Sequence, residues 1–315
     1  MKKRILMIGA GKGLSISIRL LQKDKKLKIC GFIPRLDKNF KIYKKEFFKP
    51  HKYNFPVYKI KNINEEKILI KLRKMKIDLI CCWGYNRLLT KNLLNISKLG
   101  CLNLHPGLLP YGRGTGALVG EILNNSQYLG QTCHLMNEKF DSGEIISVRK
   151  MKFSGDEYLN EITKKLDYKT PEFFVKSIYK CLSNKFKRKK MKSFGRYFPK
   201  LSPSDEIVDW NKNSSYILKK IRSRSPELLS KSYILPSKKV FFIKEIEYSK
   251  VKKYHFVPGQ VLDNDKKLGV LVKTSDTALW LKKISYDKKN FFIPKFKIGT
   301  SFLHLSLSSL YEFFK

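Results

Sequence analysis

The chain has 315 residues, 42% of them hydrophobic, and a formal net charge of +40. That length predicts two domains; no apolar run approaches the ~18 residues that would signal a membrane span. The charge fits a polyanion footprint, but lysine far outnumbers arginine and Ile, Asn and Tyr are abundant, the bias of an AT-rich genome, so charge alone assigns no partner.

Six cysteines without a CxxC pair suit neither a zinc site nor a disulfide framework. Most lie in apolar runs, which predicts reduced core thiols in a cytoplasmic protein. The start, MKKRILMIG, has the basic tip and short apolar run of a leader but no small-residue cleavage site, and is expected to be a first buried strand.

In chain order, RILMI at 4–8 predicts a strand, GAGKGLSISIRLLQKD a glycine turn and an amphipathic helix, and LKICGFI at 27–33 a second strand. Residues 34–55 are polar, basic and aromatic and predict a long loop, with PVYKI at 56–60 as a short strand. The helical spacing of Ile68, Leu69, Leu72 and Met75 predicts a helix over 64–76. IDLICCWG reads as a buried strand, YNRLLTKNLLNISKLG as a helix, and CLNLH at 101–105 as the next strand. A helix over 115–125, strands at 130–136 and 144–153, and one long helix over 156–182 follow.

This alternation predicts an α/β fold, a doubly wound, mostly parallel sheet covered on both faces. The expected catalytic domain covers 1–183, a basic Gly/Pro/Ser-punctuated linker 184–203, and a smaller β-barrel-like domain 204–315.

GAGKGL at 9–14 sits between a strand and a helix, a context that favours phosphate near Gly11, but it lacks the third glycine of GxGxxG and the ending of a P-loop. A tight βα turn is the equally weighted reading. Asn103 and His105 end the 101–105 strand, where open α/β sheets bind ligands, and Asp141 follows the 130–136 strand through a short turn. An aspartate can hold a histidine protonated or in one tautomer. Beside an Asn amide, such an imidazole can stabilise an oxyanion, and the carboxylate can take a proton from an attacking amine. That set serves acyl transfer without a covalent enzyme intermediate.

The residues NLHPGLLPYGRG, then GQTCH at 130–134, then FDSGEII, resemble the 10-formyltetrahydrofolate-dependent formyltransferase family. The resemblance covers roughly residues 1–182 and implies a catalytic trio of Asn103, His105 and Asp141. It implies folate contacts at Arg87, Leu88 and Leu89, largely through backbone groups. It also implies a loop, Asn137 to Phe140 with Glu138, closing over the pterin. The 10-formyltetrahydrofolate is then the formyl donor, and no metal is needed. YFPKLSPSDEIVDW, IRSRSP and VPGQVL resemble the second domain of methionyl-tRNA formyltransferases and of some amino-sugar formyltransferases.

The acceptor amine divides the implications. LLPYGRGTGALVGEI lacks the Ala-Ala-Pro of the tRNA enzymes, and 34–55 lacks their glycine-patterned insertion. The expected acceptor is therefore a small amine, such as that of a nucleotide-linked sugar, with Gly11 or Arg113 holding phosphate. Initiator Met-tRNA is the alternative. A non-catalytic RNA-binding protein on this scaffold is the remote one.

Overall fold

The computed structural model describes residues 2–36, 53–183, 189–191, 195–251, 255–304 and 314. Residues 37–52 of the expected basic loop, and 184–188 and 192–194 of the expected linker, lie outside the described residues. Two compact units emerge, Met1–Leu118 with Tyr128–Lys152 and Lys165–Pro199, and Val119–Gln127 with Phe153–Lys164 and Lys200–Lys315.

The first unit is built on a six-stranded sheet. Its strands are β1 (Lys3–Gly9), β2 (Leu27–Pro34), β3 (Leu79–Trp83), β4 (Cys101–His105), β5 (Tyr128–Leu135) and β6 (Ile145–Lys152), in the order β2-β1-β3-β4-β5-β6. β1 to β4 run parallel, whereas β4–β5 and β5–β6 pair antiparallel. The parallel strands are near-continuous apolar runs because both faces are covered. On one face Ile5, Met7 and Leu102 pack with helix α1 (Lys12–Gln22), through Leu14 and Ile18, and with Phe174 and Ile178. On the other, Leu6, Ile8, Ile80 and Cys82 pack with Leu69 and Leu72 of helix α2 (Glu66–Lys74). Each fully buried Leu, Ile or Phe contributes roughly 1.5–3 kcal/mol.

Three expectations change. The 85–100 stretch holds only the short helix α3 (Lys91–Leu94). Before it, the Asn64 side chain donates to Leu88 O and accepts from Thr90 N–H, which satisfies that backbone outside a helix. The long helix at 156–182 is two, α5 (Leu159–Asp167) and α6 (Thr170–Ser183), after α4 (Ala117–Leu123). At that break the Thr170 hydroxyl reaches Leu166 O, the acceptor its own N–H would use in a continuous helix, and also Gln131. PVYKI forms a single bridge, Phe32 to Val57, rather than a strand.

The second unit carries an antiparallel sheet ordered β12-β7-β8-β11-β10-β9. These are β7 (Ser230–Leu235), β8 (Lys239–Tyr248), β9 (Val261–Asp265), β10 (Gly269–Lys273), β11 (Ala278–Ser285) and β12 (Ser301–Phe302). A bridge from Gln260 to Ser301 brings its two edges together, so the sheet curls towards a barrel. Helix α7 (Ser214–Arg222) and Trp210 fill it with Phe241, Leu279 and Phe302. Among the described residues no helix is long and apolar enough to cross a membrane.

Candidate active site

The site begins with strand alternation. In β4, Leu102 and Leu104 face the α1 side, while Cys101, Asn103 and His105 face the α2 side. That face is apolar at Cys101 and becomes polar towards the end of the strand. The antiparallel partner continues the polar patch, because Asn103 pairs with His134 and His105 with Thr132. Four polar side chains therefore stand as two cross-strand pairs on one face.

Thr132 holds the loop that leaves β4. Its buried hydroxyl donates to Gly107 O at 2.7 Å and accepts from Leu109 N–H at 3.0 Å. The loop returns Gly112 O to 2.5 Å from His105 Nε2. Gly107 is confined by that contact. A Cβ there would lie 2.3 Å from Gly112 O and 2.6 Å from His105 Nε2. We expect Gly107→Ala to lower kcat by ~10²-fold while leaving the unfolding midpoint within a few degrees, because the wedge falls on the imidazole bond. Unchanged turnover would show that the His105–Gly112 bond is dispensable.

Asp141 reaches the patch from the β5–β6 loop in a left-handed backbone conformation, φ 49°. Such a non-glycine residue costs of order 1–3 kcal/mol and persists where surroundings over-determine it. Here they do. Ser142 donates to Asn137 Oδ1 at 2.6 Å and to Lys139 O at 2.9 Å, and Gly114 N–H donates to Asp141 Oδ2 at 2.9 Å. Asp141 Oδ1 then lies 3.5 Å from both His105 Nδ1 and His134 Nε2. The Asn103 amide nitrogen is 3.2 Å from His134 Nε2.

Charge follows from this packing. Burial pushes the His105 imidazole below its ordinary value of 6.5; the Asp141 carboxylate and Gly112 carbonyl pull it up without offsetting burial. Burial also raises the Asp141 carboxyl, but the His134 hydrogen bond, the charge of His105 and the Gly114 N–H outweigh it, and the group falls from 3.8 to about 2. At neutral pH the fixed Gly114 N–H is the donor that holds the carboxylate. His105 is then neutral and Asp141 ionised. With a proton on Nε2 for Gly112 O, the Nδ1 lone pair faces the carboxylate, and only the cation satisfies both neighbours. The pair is thus arranged to receive a proton.

A pH consequence follows. Both folded pKa values are depressed, so the stability they contribute is present above the unfolded values and lost as pH falls through the folded ones. For His105 the loss starts below about 6.5. We expect the denaturation midpoint to drop between pH 7 and pH 5, and His105→Gln to flatten that drop. Equal slopes for the two proteins would contradict the depressed imidazole.

The other expected residues are distributed unevenly. Arg113 joins the site, its Nη2 3.3 Å from Phe140 O. Phe140 and Leu88 are exposed, each 42%. Glu138 and Arg87 are exposed too, and Arg87 donates to Lys61 O. Leu89 is buried in the α2-side core, and Leu88 O already accepts from Asn64. Gly11 caps α1 at φ 112°, at the end of β1, which β3 separates from β4. Gly13 in the same turn is explained by packing, since a Cβ would meet the Trp83 ring at 2.0 Å. His134 was missed as a site residue, although GQTCH was recognised. Its signal is the alternation with Thr132, readable only once β5 is known to run against β4. A cavity of about 740 Å³ opens beside the Asp141 loop, with Leu94, Met136, Asn137 and Glu138 on its wall and Lys91 and Lys98 at its rim. Among the described residues no cluster of three or more His, Cys, Asp or Glu could hold a metal ion.

The formyl transferase family matches residues 3–178, and the formyl transferase C-terminal domain matches 200–297. The bifunctional polymyxin resistance protein ArnA of Wigglesworthia glossinidia brevipalpis is 31% identical over 258 residues, covering 80% of this chain and 38% of that longer protein. The methionyl-tRNA formyltransferase of Clostridium tetani is 28% identical over 249 residues, covering 78% and 79%. The structure of WlaRD, a sugar 3N-formyl transferase in the presence of dTDP and 5-N-formyl-THF, superposes with a TM-score of 0.64 at 16% identity, covering 89% and 97%. At that identity the likeness is one of fold. With the first family match spanning more than half of its length, the chain belongs to the formyl transferase family of enzymes.

Proposed function

We propose that the protein transfers a formyl group from 10-formyltetrahydrofolate to a primary amine by direct attack, without a covalent enzyme intermediate. The observation that carries this reading is the Asp141 carboxylate between His105 and His134, with the Asn103 amide beside them. The amine nitrogen bonds to the formyl carbon, the bond from that carbon to the donor nitrogen breaks, and the amine proton passes to the donor nitrogen. The Asn103 N–H stabilises the formyl oxygen as it gains charge. His105 takes the proton in transit, and its cation is held by Asp141 and Gly112 O.

The residues present fit the donor. Exposed Leu88 and Phe140 offer apolar faces for a heterocycle, and the cavity beside Asn137 and Glu138 offers room. Leu88 offers its apolar side chain, its carbonyl already accepting from Asn64.

The acceptor we favour is a small amine, that of a nucleotide-linked sugar. YGRGTGAL departs from the pattern expected of the tRNA enzymes at the residues that follow His105. The sugar enzyme is similar in fold alone and does not weigh on the choice, whereas the methionyl-tRNA enzyme among the relatives supports the other acceptor. Formyl transfer measured side by side on amino-sugar nucleotides and on initiator Met-tRNA decides between them; activity on the tRNA alone overturns our choice. Arg113→Ala should raise the acceptor KM ~10-fold or more and the donor KM less than threefold, the loss of one charge-assisted contact, and should lower kcat as well, because the side chain also contacts Tyr197 and Phe140 O. Equal increases would place Arg113 on the donor side.

A further inference from the structure

Neither family match extends over residues 179–199. The last five of these are inlaid against the loop that leaves β4. Gly195 N–H donates to Pro110 O at 3.1 Å, Arg113 N–H to Arg196 O at 3.2 Å, Phe198 N–H to Arg113 O at 2.8 Å, and Gly116 N–H to Phe198 O at 3.1 Å. Arg113 and Tyr197 thereby form a parallel bridge. The backbones approach too closely for side chains at three crossings, one of them Gly116, where a Cβ would lie 2.4 Å from Pro199 O. A Cβ on Gly195 would lie 2.6 Å from Tyr111 Cα, and one on Gly114 2.1 Å from Phe198 O.

The residues clamped in this way are neighbours of the chemistry. Gly112, on one side of Arg113, presents its carbonyl to His105 Nε2, and Gly114, on the other, its N–H to Asp141 Oδ2. The Arg113 guanidinium lies over the Tyr197 ring at 5.7 Å and reaches Phe140 O, next to Asp141. Two backbone bonds and one ring contact therefore fix the single residue from which both partners of the acid/base pair are set. Tyr197 is itself 49% exposed, so burial of a core does not explain its position.

We propose that residues 195–199 are a positioning strap for formyl transfer, with Tyr197 acting on His105 and Asp141 through Arg113. The strap touches no reacting atom. It holds Gly112 O and Gly114 N–H at the spacing that presents imidazole and carboxylate together, and a displacement of about 1 Å there is enough to cost ~10²-fold in rate. The catalytic machinery thus extends past the end of the first family match into a stretch whose composition reads as a linker.

The proposal rests on formyl transfer for one of its readouts and is independent of it in the other. In the full-length enzyme, Tyr197→Ala should lower kcat ~10-fold or more with the donor KM nearly unchanged, and Tyr197→Phe, which keeps the ring, should stay within about twofold of wild type. Without any substrate, the His105 titration followed by NMR should move upward in Tyr197→Ala, because water admitted by the loosened loop relieves burial, the largest effect on the imidazole, and outweighs the weakened Gly112 and Asp141 contacts. Gly195→Ala, which lifts the strap with Tyr197 intact, should move both readouts in the same direction. Tyr197→Ala with wild-type kcat and an unshifted His105 titration overturns the strap, as does a Phe variant as impaired as the Ala variant. If the chain formylates none of the acceptors, an upward His105 shift still supports the strap and an unmoved one overturns it.

Discussion

Asp141→Asn should lower kcat by ~10³-fold while leaving the donor KM within a few-fold. The amide keeps the shape of the carboxylate and can still accept the Gly114 N–H, so the left-handed turn that Ser142 and Asn137 secure remains intact. What it lacks is charge. Asp141 is ionised across the working pH range, its carboxyl held at about 2 despite burial. In the variant, the proton arriving on His105 has no anion beside it, and the imidazolium becomes a buried, uncompensated charge. The loss should be in kcat, because the charge is needed only as the amine gives up its proton. Steady-state kinetics with both substrates varied separates the two parameters; a variant within tenfold of wild type would show that Asp141 is structural.

The second large effect is at His105. His105→Ala should cost ~10²–10³-fold in kcat. It removes the proton acceptor and leaves Gly112 O, now 2.5 Å from Nε2, facing a void. His105→Gln is the informative companion. Its amide can donate to Gly112 O and so keep the loop in place, yet it cannot take up a proton. Equal loss in the two variants assigns the role to proton transfer; recovery in the Gln variant would assign it to holding the loop.

Much of this site was legible in the sequence because its elements are local. Asn103 and His105 stand two apart at the end of an apolar run, and a proline ends the strand after them. Asp141 sits in a short Asp-Ser-Gly turn that can scarcely be anything but a loop. His134 was harder, because its place depends on β5 running against β4, and apolar alternation does not reveal strand direction. The strap was hardest. Its Gly, Pro and basic residues have the composition of a connector, and its pairing with Arg113 joins positions far apart in the chain. Helix lengths were overestimated where side chains compete for the backbone. Asn64 holds Leu88 and Thr90 outside a helix, and the Thr170 hydroxyl takes up Leu166 O where the long helix breaks.

The glycine turn at 9–14 shows a different limit. A phosphate loop and a tight βα turn share the same letters, and Gly13 is accounted for by the Trp83 ring packed against it. Gly11 keeps its open surroundings and its positive φ, which permits a ligand there without requiring one.

The central claim is direct transfer of a formyl group to an amine under the control of Asp141. The measurement that tests it most directly is a single-turnover reaction of the full-length enzyme with 10-formyltetrahydrofolate and its best acceptor, with both products quantified by mass spectrometry and Asp141→Asn run in parallel. The wild type should give equal amounts of formylated amine and tetrahydrofolate, and the variant should form both ~10³-fold more slowly. Donor consumed without formylated amine, or a variant as fast as wild type, would contradict it.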